Sequence, residues 1–404
     1  MSSKITIIGA GSVGSTIAYT LAHDEIASEI VLIDINKEKV EGEVMDIEQG
    51  TCFRSPVSLT AGDYADAKDS DIVIITSGIA RKPGQTRIEL TQTNVNILKS
   101  ITPQIVKEAP NAKYIIVSNP VDIMTYVFTK ISGLSENQIM GSGTILDTAR
   151  LRYGLSEHFK VAQRNIHAYV FGEHGDTSFI PWTSAYISGL SADEYYEEMK
   201  AYGKEIEPLD KEAMLEYVQK SGGQVIANKG ATFYAVSVAV CKLVATILSS
   251  SDSVATVSSM MHGEYGIEDV CLSTLTLVGP KGVQGKIPMR MTKEEVEKLL
   301  GSPKKDTFSI LIAHNPEYFP YYAAWGADLT VSGHIHGGIM RLPWIGGVIS
   351  PSLRLFPKYD SGEFEENGKK MILSRGMGLH HIKLRFFNRP EISVIKITCQ
   401  DKSK

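Results

Sequence analysis

A glycine-rich turn between an apolar strand and a helical segment constrains the fold of this chain more than any other feature. The chain opens KITIIGAGSVGSTIAYTLA, with Gly9, Gly11 and Gly14 spaced as GxGxxG, and the next strand-like run, EIVLIDI, carries Asp34 near its end. In such a turn the glycines let a pyrophosphate approach the helix N-terminus, and the acid holds the ribose hydroxyls. The pattern predicts a dinucleotide site, against the alternative of an ordinary glycine-rich turn. Because Asp34 would repel a 2′-phosphate, it favours NAD over NADP.

The alternation of strand-like and helical segments continues after this turn. The runs DIVIITSG and KYIIVSN are separated by helical stretches such as TQTNVNILKSITPQIVKEAP. This alternation is typical of a parallel sheet with helices on both faces, so it predicts the α/β class with a Rossmann doubly wound sheet. Ligands bind at the carboxyl edge of such a sheet. Two polar loops are expected there, one with Arg81 and Arg87 and one with Asn119, although a solvated loop and a simple helix start are alternatives.

Three charged residues lie in a mostly apolar part of the sequence. Asp147 and Arg150 are three residues apart in the helical segment ILDTARLR, which places both on one helix face. His174 follows in IHAYVFGEHGD, after a strand-like run. A carboxylate can hold an imidazole in one tautomer, and an arginine can bind a substrate carboxylate with two hydrogen bonds. A catalytic set and a buried salt-bridge cluster are both open on these residues alone.

Together these motifs resemble the lactate/malate dehydrogenase family, from the first strand to about Leu300, and most closely its bacterial L-lactate branch. The resemblance implies reversible hydride transfer between NADH and a 2-oxo acid, with an α+β substrate domain after the Rossmann domain. It also implies the roles of the matching residues. These are His174 as proton donor and acceptor, Asp147 orienting it, Arg87 polarising the carbonyl from a mobile loop, Arg150 binding the substrate carboxylate, Asn119 bonding near the reacting oxygen and contacting the cofactor, and Thr232 lining the pocket.

The choice of substrate within the family depends on conflicting residues. The position before KPG is commonly glutamine in lactate enzymes and arginine in malate enzymes, and here it is Arg81. An arginine facing the substrate would pair with a second carboxylate, which favours oxaloacetate, unless it points to solvent. The forms GEHGD, FIPWTSA, KGAT and GIEDVCLS are similar to the lactate branch. We therefore predict L-lactate dehydrogenase activity, with malate dehydrogenase as the alternative.

Two further residues resemble an effector site of bacterial lactate dehydrogenases. Arg152 and His167 match an arginine and a histidine that bind fructose 1,6-bisphosphate at a subunit interface in that family. Two phosphates at a symmetric interface need paired cations. The resemblance implies a homodimer or homotetramer, while a surface arginine and a satisfied histidine are the alternative.

The last hundred or so residues, 302–404, change in character. The segment FSILIAHNPEYFPYYAAWGADLTVSGHIHGG resembles the carboxyl-terminal half of calcineurin-like metallophosphoesterases, in which His314, His334 and His336 match metal ligands. The DxH, GD and GNHE or GNHD motifs of the amino-terminal half have no counterpart, and a two-metal site needs a bridging carboxylate. We therefore predict a partial α/β sandwich with no dinuclear metal and no phosphoesterase activity. Apolar strands such as FSILIAH and ADLTVSG are expected to be uncovered on one side.

Length and composition are consistent with this division. The 404 residues leave room for two or three domains, and we predict a Rossmann domain at 1–141, a catalytic domain at 142–301 and the partial segment at 302–404. A net charge of −5 gives no basic surface for nucleic acid. The four cysteines have no CxxC spacing, and no apolar run is long enough for a membrane span, so we expect a cytoplasmic protein.

Overall fold

The fold is described from a computed structural model. It describes residues 3–79 and 87–289, and then 291–292, 294–295, 298, 308–312, 316, 319–333, 340–342, 346–349, 356–375 and 393–396. Contacts divide the chain into two compact units. The first comprises Met1–Met260 and Val270–Arg290, and the second comprises Met261–Asp269 and Met291–Lys404.

The described residues form strands and helices in the following order. The strands are β1 Lys4–Ile8, β2 Glu29–Ile33, β3 Ser58–Ala61, β4 Ile72–Ile75, β5 Lys113–Ile116, β6 Ile139–Gly141, β7 Ile166–His167, β8 Tyr186–Ile187, β9 Leu190–Ser191, β10 Ser253–Ala255, β11 Ser258–His262, β12 Glu268–Ser273, β13 Thr276–Gly279, β14 Gly282–Lys286, β15 Ile310–Ile312, β16 Leu329–Ser332, β17 Met340–Leu342, β18 Gly346–Ile349, β19 Gly362–Glu366 and β20 Lys369–Leu373. The helices are α1 Ser12–His23, α2 Lys37–Thr51, α3 Arg87–Glu108, α4 Val121–Ser132, α5 Ile145–Phe159, α6 Ala192–Ala201, α7 Lys211–Lys229, α8 Tyr234–Leu248 and α9 Phe319–Trp325.

The main sheet confirms the predicted doubly wound fold. Its strand order is β12-β11-β6-β5-β4-β1-β2-β3, and the six strands from β3 to β6 are parallel. The order reverses between β1 and β4, where Ile5 pairs with Ile72. Such a reversal opens a crevice at the carboxyl ends of the strands, where α/β proteins bind their ligands. The glycine-rich turn after β1 lies at this point.

Helices cover both faces of this sheet. On one face, α1 and α8 contribute Ile17, Leu21 and Val244 to a buried cluster with the strands. On the other face, residues of α3 and α4, such as Ile105 and Phe128, form a second cluster. Strands buried on both sides explain the nearly continuous apolar runs EIVLI and IVII. Helix α8 also contributes Val240 and Leu243 to the first cluster.

A smaller α+β part of the first unit follows the Rossmann sheet. Helices α5 and α7 enclose a third apolar cluster that includes Leu151, Phe159 and Val218. Two three-stranded sheets belong here, β7-β8-β9 and β10-β13-β14. The predicted strand HAYVFG is largely irregular, because beyond β7 only single bridges from Phe171 to Phe179 and from Gly172 to Ser273 pair it. This irregular path leads directly to His174.

The second unit has its own small sheet and apolar cluster. The strand order is β15-β16-β20-β19, and α9 packs Phe319 and Tyr322 into a cluster with Met371 and Leu373. The hydroxyl of Tyr322 donates to the carbonyl of Gly263, 2.7 Å away, in the turn between β11 and β12.

The tail strands were predicted to be uncovered on one side. This prediction agrees with the structure at β15 and is wrong at β16. On β15, Ile310 and Ile312 are 47% and 78% exposed. On β16, the adjacent Leu329 and Thr330 are both buried, and because adjacent residues of a strand point to opposite faces, this strand is covered on both sides there. In the part of the chain that the structure describes, no helix is long and apolar enough to cross a membrane.

Candidate active site

Helix α5 brings the predicted charged residues together. Asp147 and Arg150 lie one turn apart, and Nη1 of Arg150 donates to Oδ1 of Asp147 over 2.9 Å. The other oxygen of Asp147 lies 2.6 Å from Nδ1 of His174. The side chain of Asp147 is only 7% exposed, whereas that of His174 is 27% exposed. One buried carboxylate therefore orients both cations, and the contact at Nδ1 leaves Nε2 of His174 able to exchange a proton with a ligand.

A second buried carboxylate fixes the backbone at His174. Oδ2 of Asp122 accepts from the backbone N–H of His174 at 2.8 Å, and Oδ1 accepts from the hydroxyl of Ser258 at 2.6 Å. Asp122 is 7% exposed and Ser258 is fully buried. Sequence reasoning missed both residues. The only available signal was an acid in the first turn of α4, which reads as an ordinary helix start.

The two carboxylates also set the protonation of this cluster. Burial lowers the pKa of His174, but its hydrogen bond to Asp147 and the charges of Asp147 and Asp122 outweigh burial, so the net pKa lies above the usual value. Burial raises the pKa of Asp122, and its hydrogen bonds from Ser258 and His174 offset this only in part. A histidine with a raised pKa holds its proton to higher pH, which suits a proton donor at neutral pH.

The glycine-rich turn has the shape that a pyrophosphate requires. Gly9 has φ of +111°, and a β-carbon there would lie 2.6 Å from Oγ1 of Thr76. A β-carbon on Gly14 would overlap the carbonyl oxygen of Gly9, whereas one on Gly11 would face open space. Gly9 and Gly14 are thus needed for the turn itself, and Gly11 leaves room beside the N-terminus of α1. These residues fit a dinucleotide phosphate group.

Asp34 lies at the same edge of the sheet and is tied to this turn. Its Oδ2 accepts from the backbone N–H of Ala10 at 2.7 Å, and its Oδ1 accepts from that of Asn36 at 3.0 Å. The carboxylate is thereby held just beyond β2, adjacent to the glycine-rich turn. Each oxygen keeps a further lone pair for a ligand hydroxyl.

Asn119 lies in the loop after β5, where the sequence placed it, and its side chain is exposed. The loop is held by Asn94 of α3, a residue that sequence reasoning missed. Nδ2 of Asn94 donates to the carbonyl of Asn119 at 2.9 Å, and Oδ1 accepts from the N–H of Ile79 at 2.9 Å. Asn94 is 2% exposed, so this buried amide joins the ends of β4 and β5. Nothing in the sequence distinguishes it from a polar helix surface.

Other predicted residues are placed with less detail. Arg81 lies outside the described residues, and Arg87 is described only as the first residue of α3, without its side chain. Thr232 lies in the turn between α7 and α8 and is half-buried. Nε of Arg152 donates to the carbonyl of Ala168 at 3.1 Å, so it reaches the residue next to the exposed His167.

The predicted metal ligands of the tail, His314, His334 and His336, lie outside the described residues. Among the residues that are described, no group of three or more His, Cys, Asp or Glu side chains is arranged to hold a metal ion. Cys52, Cys241 and Cys271 are free thiols, and burial raises the pKa of Cys241 and of Cys271 to about 12. The fourth cysteine, Cys399, is outside the described part.

Comparison with known proteins identifies two matching family domains. Residues 3–141 match the lactate/malate dehydrogenase NAD binding domain, and residues 144–307 match the lactate/malate dehydrogenase alpha/beta C-terminal domain. L-lactate dehydrogenase 1 of Clostridium acetobutylicum is 47% identical over 301 residues, which are 74% of this chain and 95% of that protein. L-lactate dehydrogenase of Acetivibrio thermocellus is 47% identical over 296 residues, 73% of this chain and 92% of that protein.

Solved structures agree with these matches. A lactate dehydrogenase enzyme from a Medee basin deep-sea metagenome library superimposes with a TM-score of 0.70 at 35% identity, covering 74% of this chain and 94% of that one. The minor L-lactate dehydrogenase from Enterococcus mundtii, in a ligands-bound form, gives a TM-score of 0.71 at 34% identity with the same coverage. The matched part therefore has the fold and the domain order of these enzymes.

Proposed function

Because the chain belongs to the lactate/malate dehydrogenase family, we propose that it is an NAD-dependent L-lactate dehydrogenase that interconverts pyruvate and L-lactate. The observation that carries this proposal is the buried carboxylate of Asp147, 2.6 Å from His174 and 2.9 Å from Arg150. Asp147 thus holds a proton donor, His174, next to a cation that can bind a carboxylate, Arg150. The relatives at 47% identity are named L-lactate dehydrogenases, which supports the choice of substrate.

His174 supplies the proton in this reaction. Bound NADH would supply the hydride that reduces the keto carbon. Nε2 of His174 donates a proton to the carbonyl oxygen as negative charge develops there, and Asp147 stabilises the imidazolium beforehand without itself taking the proton. In lactate oxidation neutral His174 accepts the proton from the hydroxyl group. Its raised pKa keeps the imidazolium, the form that pyruvate reduction needs, populated at neutral pH.

Arginines bind and polarise the substrate. The guanidinium of Arg150 has five N–H donors, and its contact with Asp147 uses one of them, so a substrate carboxylate can be bound by two others. By resemblance, Arg87 polarises the carbonyl, Asn119 bonds near the reacting oxygen and Thr232 lines the pocket. Closure of the loop before α3 would exclude water and strengthen these interactions.

The cofactor is NAD rather than NADP. Gly9, Gly11 and Gly14 leave room for the pyrophosphate at the N-terminus of α1. The carboxylate of Asp34 accepts hydrogen bonds from the ribose hydroxyls and repels a phosphate group at that position. The match of residues 3–141 to an NAD binding domain supports the nucleotide class.

Purified protein tests this function directly. We expect NADH oxidation with pyruvate that falls about 10²–10⁴-fold in His174→Ala, as loss of a general acid does, while NADH binding measured by fluorescence is kept. Normal turnover in this variant would exclude His174 as the proton donor. A protein that binds NADH but oxidises it with no 2-oxo acid would be a binding-only Rossmann protein.

Oxaloacetate is the alternative substrate, because of Arg81. Steady-state rates with both 2-oxo acids decide the question. A preference of ~100-fold or more for oxaloacetate, or about 2.7 kcal/mol, would make the protein a malate dehydrogenase. If Arg81 faces solvent, Arg81→Gln leaves the ratio of the two rates unchanged.

Regulation and assembly complete the proposal. Arg152 and His167 form half of a fructose 1,6-bisphosphate site in a homodimer or homotetramer, and the hydrogen bond of Arg152 to Ala168 supports their proximity. The site is tested by measuring activation by fructose 1,6-bisphosphate, which should be lost in Arg152→Ala.

We also propose a cytoplasmic location and three domains, with limits at 1–141, 142–301 and 302–404.

We assign residues 302–404 to a partial metallophosphoesterase-like segment without activity. It carries His314, His334 and His336 but lacks the motifs that supply a bridging carboxylate. We expect no hydrolysis of a generic phosphodiester with Mn²⁺ or Zn²⁺. Hydrolysis that disappears in a His334→Ala, His336→Ala double variant would overturn this assignment.

A further inference from the structure

A glycine on α7 lies against the guanidinium group of Arg150. A β-carbon placed on Gly222 would have Nη2, Nη1 and Cζ of Arg150 as its three nearest heavy atoms, at 3.2, 3.6 and 3.7 Å. Because the two terminal nitrogens are nearer than Cζ, the edge of the guanidinium that carries Nη1 and Nη2 is the part that faces Gly222. The shortest of these contacts is tighter than side chains normally tolerate, so one group would have to give by a few tenths of an ångström.

The opposite constraint on Arg150 comes from Asp147. Nη1 of Arg150 donates to a carboxylate that is only 7% exposed and whose second oxygen is bound to His174. The guanidinium is therefore confined between the buried Asp147 and the backbone of Gly222. A shift away from α7 would alter the contact with Asp147 or the direction of the free N–H donors.

Helices α5 and α7 approach closely along this line. One turn after Arg150, a β-carbon on Gly154 would lie 2.7 Å from Sδ of Met214 and 3.0 Å from a ring carbon of Tyr217. The neighbouring Ser221 is buried, and its hydroxyl donates to the carbonyl of Tyr217 at 2.5 Å. Because α7 already packs tightly against α5 at Gly154, the guanidinium is the group that would have to move.

We propose that Gly222 is a positioning residue for the substrate carboxylate. The absence of its side chain leaves space beside the terminal N–H groups of Arg150, so that two of them can be presented to the carboxylate of the 2-oxo acid. This inference rests on the proposed dehydrogenase function. It identifies a backbone surface, in addition to the charge of Asp147, that sets the geometry of substrate binding.

The chain offers a matched control at the next position. A β-carbon on Gly223 has no heavy atom within 4 Å. Gly222 and Gly223 both lie inside α7, so replacing either by alanine favours the helix by about 0.5–1 kcal/mol. The difference between the two variants therefore isolates the contact with Arg150.

Steady-state kinetics with NADH and pyruvate test the proposal. We expect Gly222→Ala to raise KM for pyruvate on the order of tenfold with little change in kcat, since small misplacements weaken substrate binding. Gly223→Ala should leave both constants unchanged. NADH affinity and the melting temperature are measured for both variants, and neither is expected to fall.

Equal KM values in the two variants would overturn the proposal, provided that the parent protein reduces pyruvate. Absence of that parent activity would instead contradict the proposed function. A double-mutant cycle with Arg150→Lys gives a second measurement, because lysine lacks the two terminal nitrogens that face Gly222. The effect of Gly222→Ala on kcat/KM should then vanish. An unchanged effect in the lysine background would show that Gly222 acts on the helix and not through Arg150.

Discussion

Replacing Asp147 by asparagine should weaken catalysis in a way that depends on pH. Asp147 bonds to His174 at 2.6 Å and is 7% exposed, so solvent screens this interaction little. A hydrogen bond to a charged group contributes ~1.5–3 kcal/mol to stability. At 1.36 kcal/mol for each factor of ten, losing it lowers kcat/KM for pyruvate at neutral pH by about 10- to 150-fold.

The direction of the pH effect follows from the proton on His174. Asp147 helps to raise the pKa of His174, so the variant loses the imidazolium at lower pH than the parent. Pyruvate reduction needs the imidazolium. The alkaline limb of the pH–rate profile of pyruvate reduction should therefore move to lower pH. Lactate oxidation needs the neutral ring and should be impaired less as pH rises. Below both pKa values the two proteins hold the proton equally, and their rates should approach each other.

Rates of NADH oxidation from pH 5 to pH 9 test this reasoning. Asp193→Asn is a suitable control, since Asp193 is 73% exposed and pairs with Lys211 at 2.8 Å on the surface, where ion pairs contribute little. A loss of activity in Asp147→Asn that is the same at every pH would refute the argument. It would mean that Asp147 acts only by orienting Arg150.

Three further outcomes are expected. Asp34→Asn should lower the preference for NADH over NADPH, measured as the ratio of kcat/KM values, by about tenfold or more. Asp46→Asn, at an exposed position, should leave this preference unchanged. Equal use of both cofactors by the parent would contradict the role of Asp34. Ser258→Ala removes the hydrogen bond that the buried Asp122 accepts and should lower the free energy of unfolding, measured in urea, by ~1–3 kcal/mol. The control Ser100→Ala, at an exposed serine, should have a free energy of unfolding near that of the parent. Truncation after Gly301 removes the hydrogen bond from Tyr322 to Gly263 and should keep pyruvate reduction within about twofold of the parent, because His174 belongs to the first compact unit and the removed residues belong to the second. Loss of NADH-dependent activity would show that the tail supports the dehydrogenase.

Local spacing explains which features could be predicted from the sequence. The glycines and Asp34 follow a pattern set by one strand-turn-helix unit, and the structure places them as that pattern requires. The pairing of Asp147 with Arg150 is likewise a property of one helix turn. Their proximity to His174, 27 residues further along the chain, came from the family resemblance and not from spacing.

Contacts between distant segments could not be predicted. The bond from Ser258 to Asp122 spans 136 residues, and neither residue has a local pattern that marks it. Asn94 looks like any polar residue on a helix surface until the fold buries it. The tail strand β16 was expected to be uncovered, but its place inside the small sheet depends on pairing with β20, which lies 40 residues later.

The carboxylate of Asp122 also sets the order in which the site can form during synthesis. It joins α4 to the loop at His174 and to the start of β11. Because the ribosome makes the chain from its amino terminus, the Rossmann strands emerge first and can fold first. Until Ser258 leaves the exit tunnel, Asp122 lacks its second donor and the strand that closes the sheet beside β6 is absent. A nascent chain should therefore acquire nucleotide binding well before it acquires turnover.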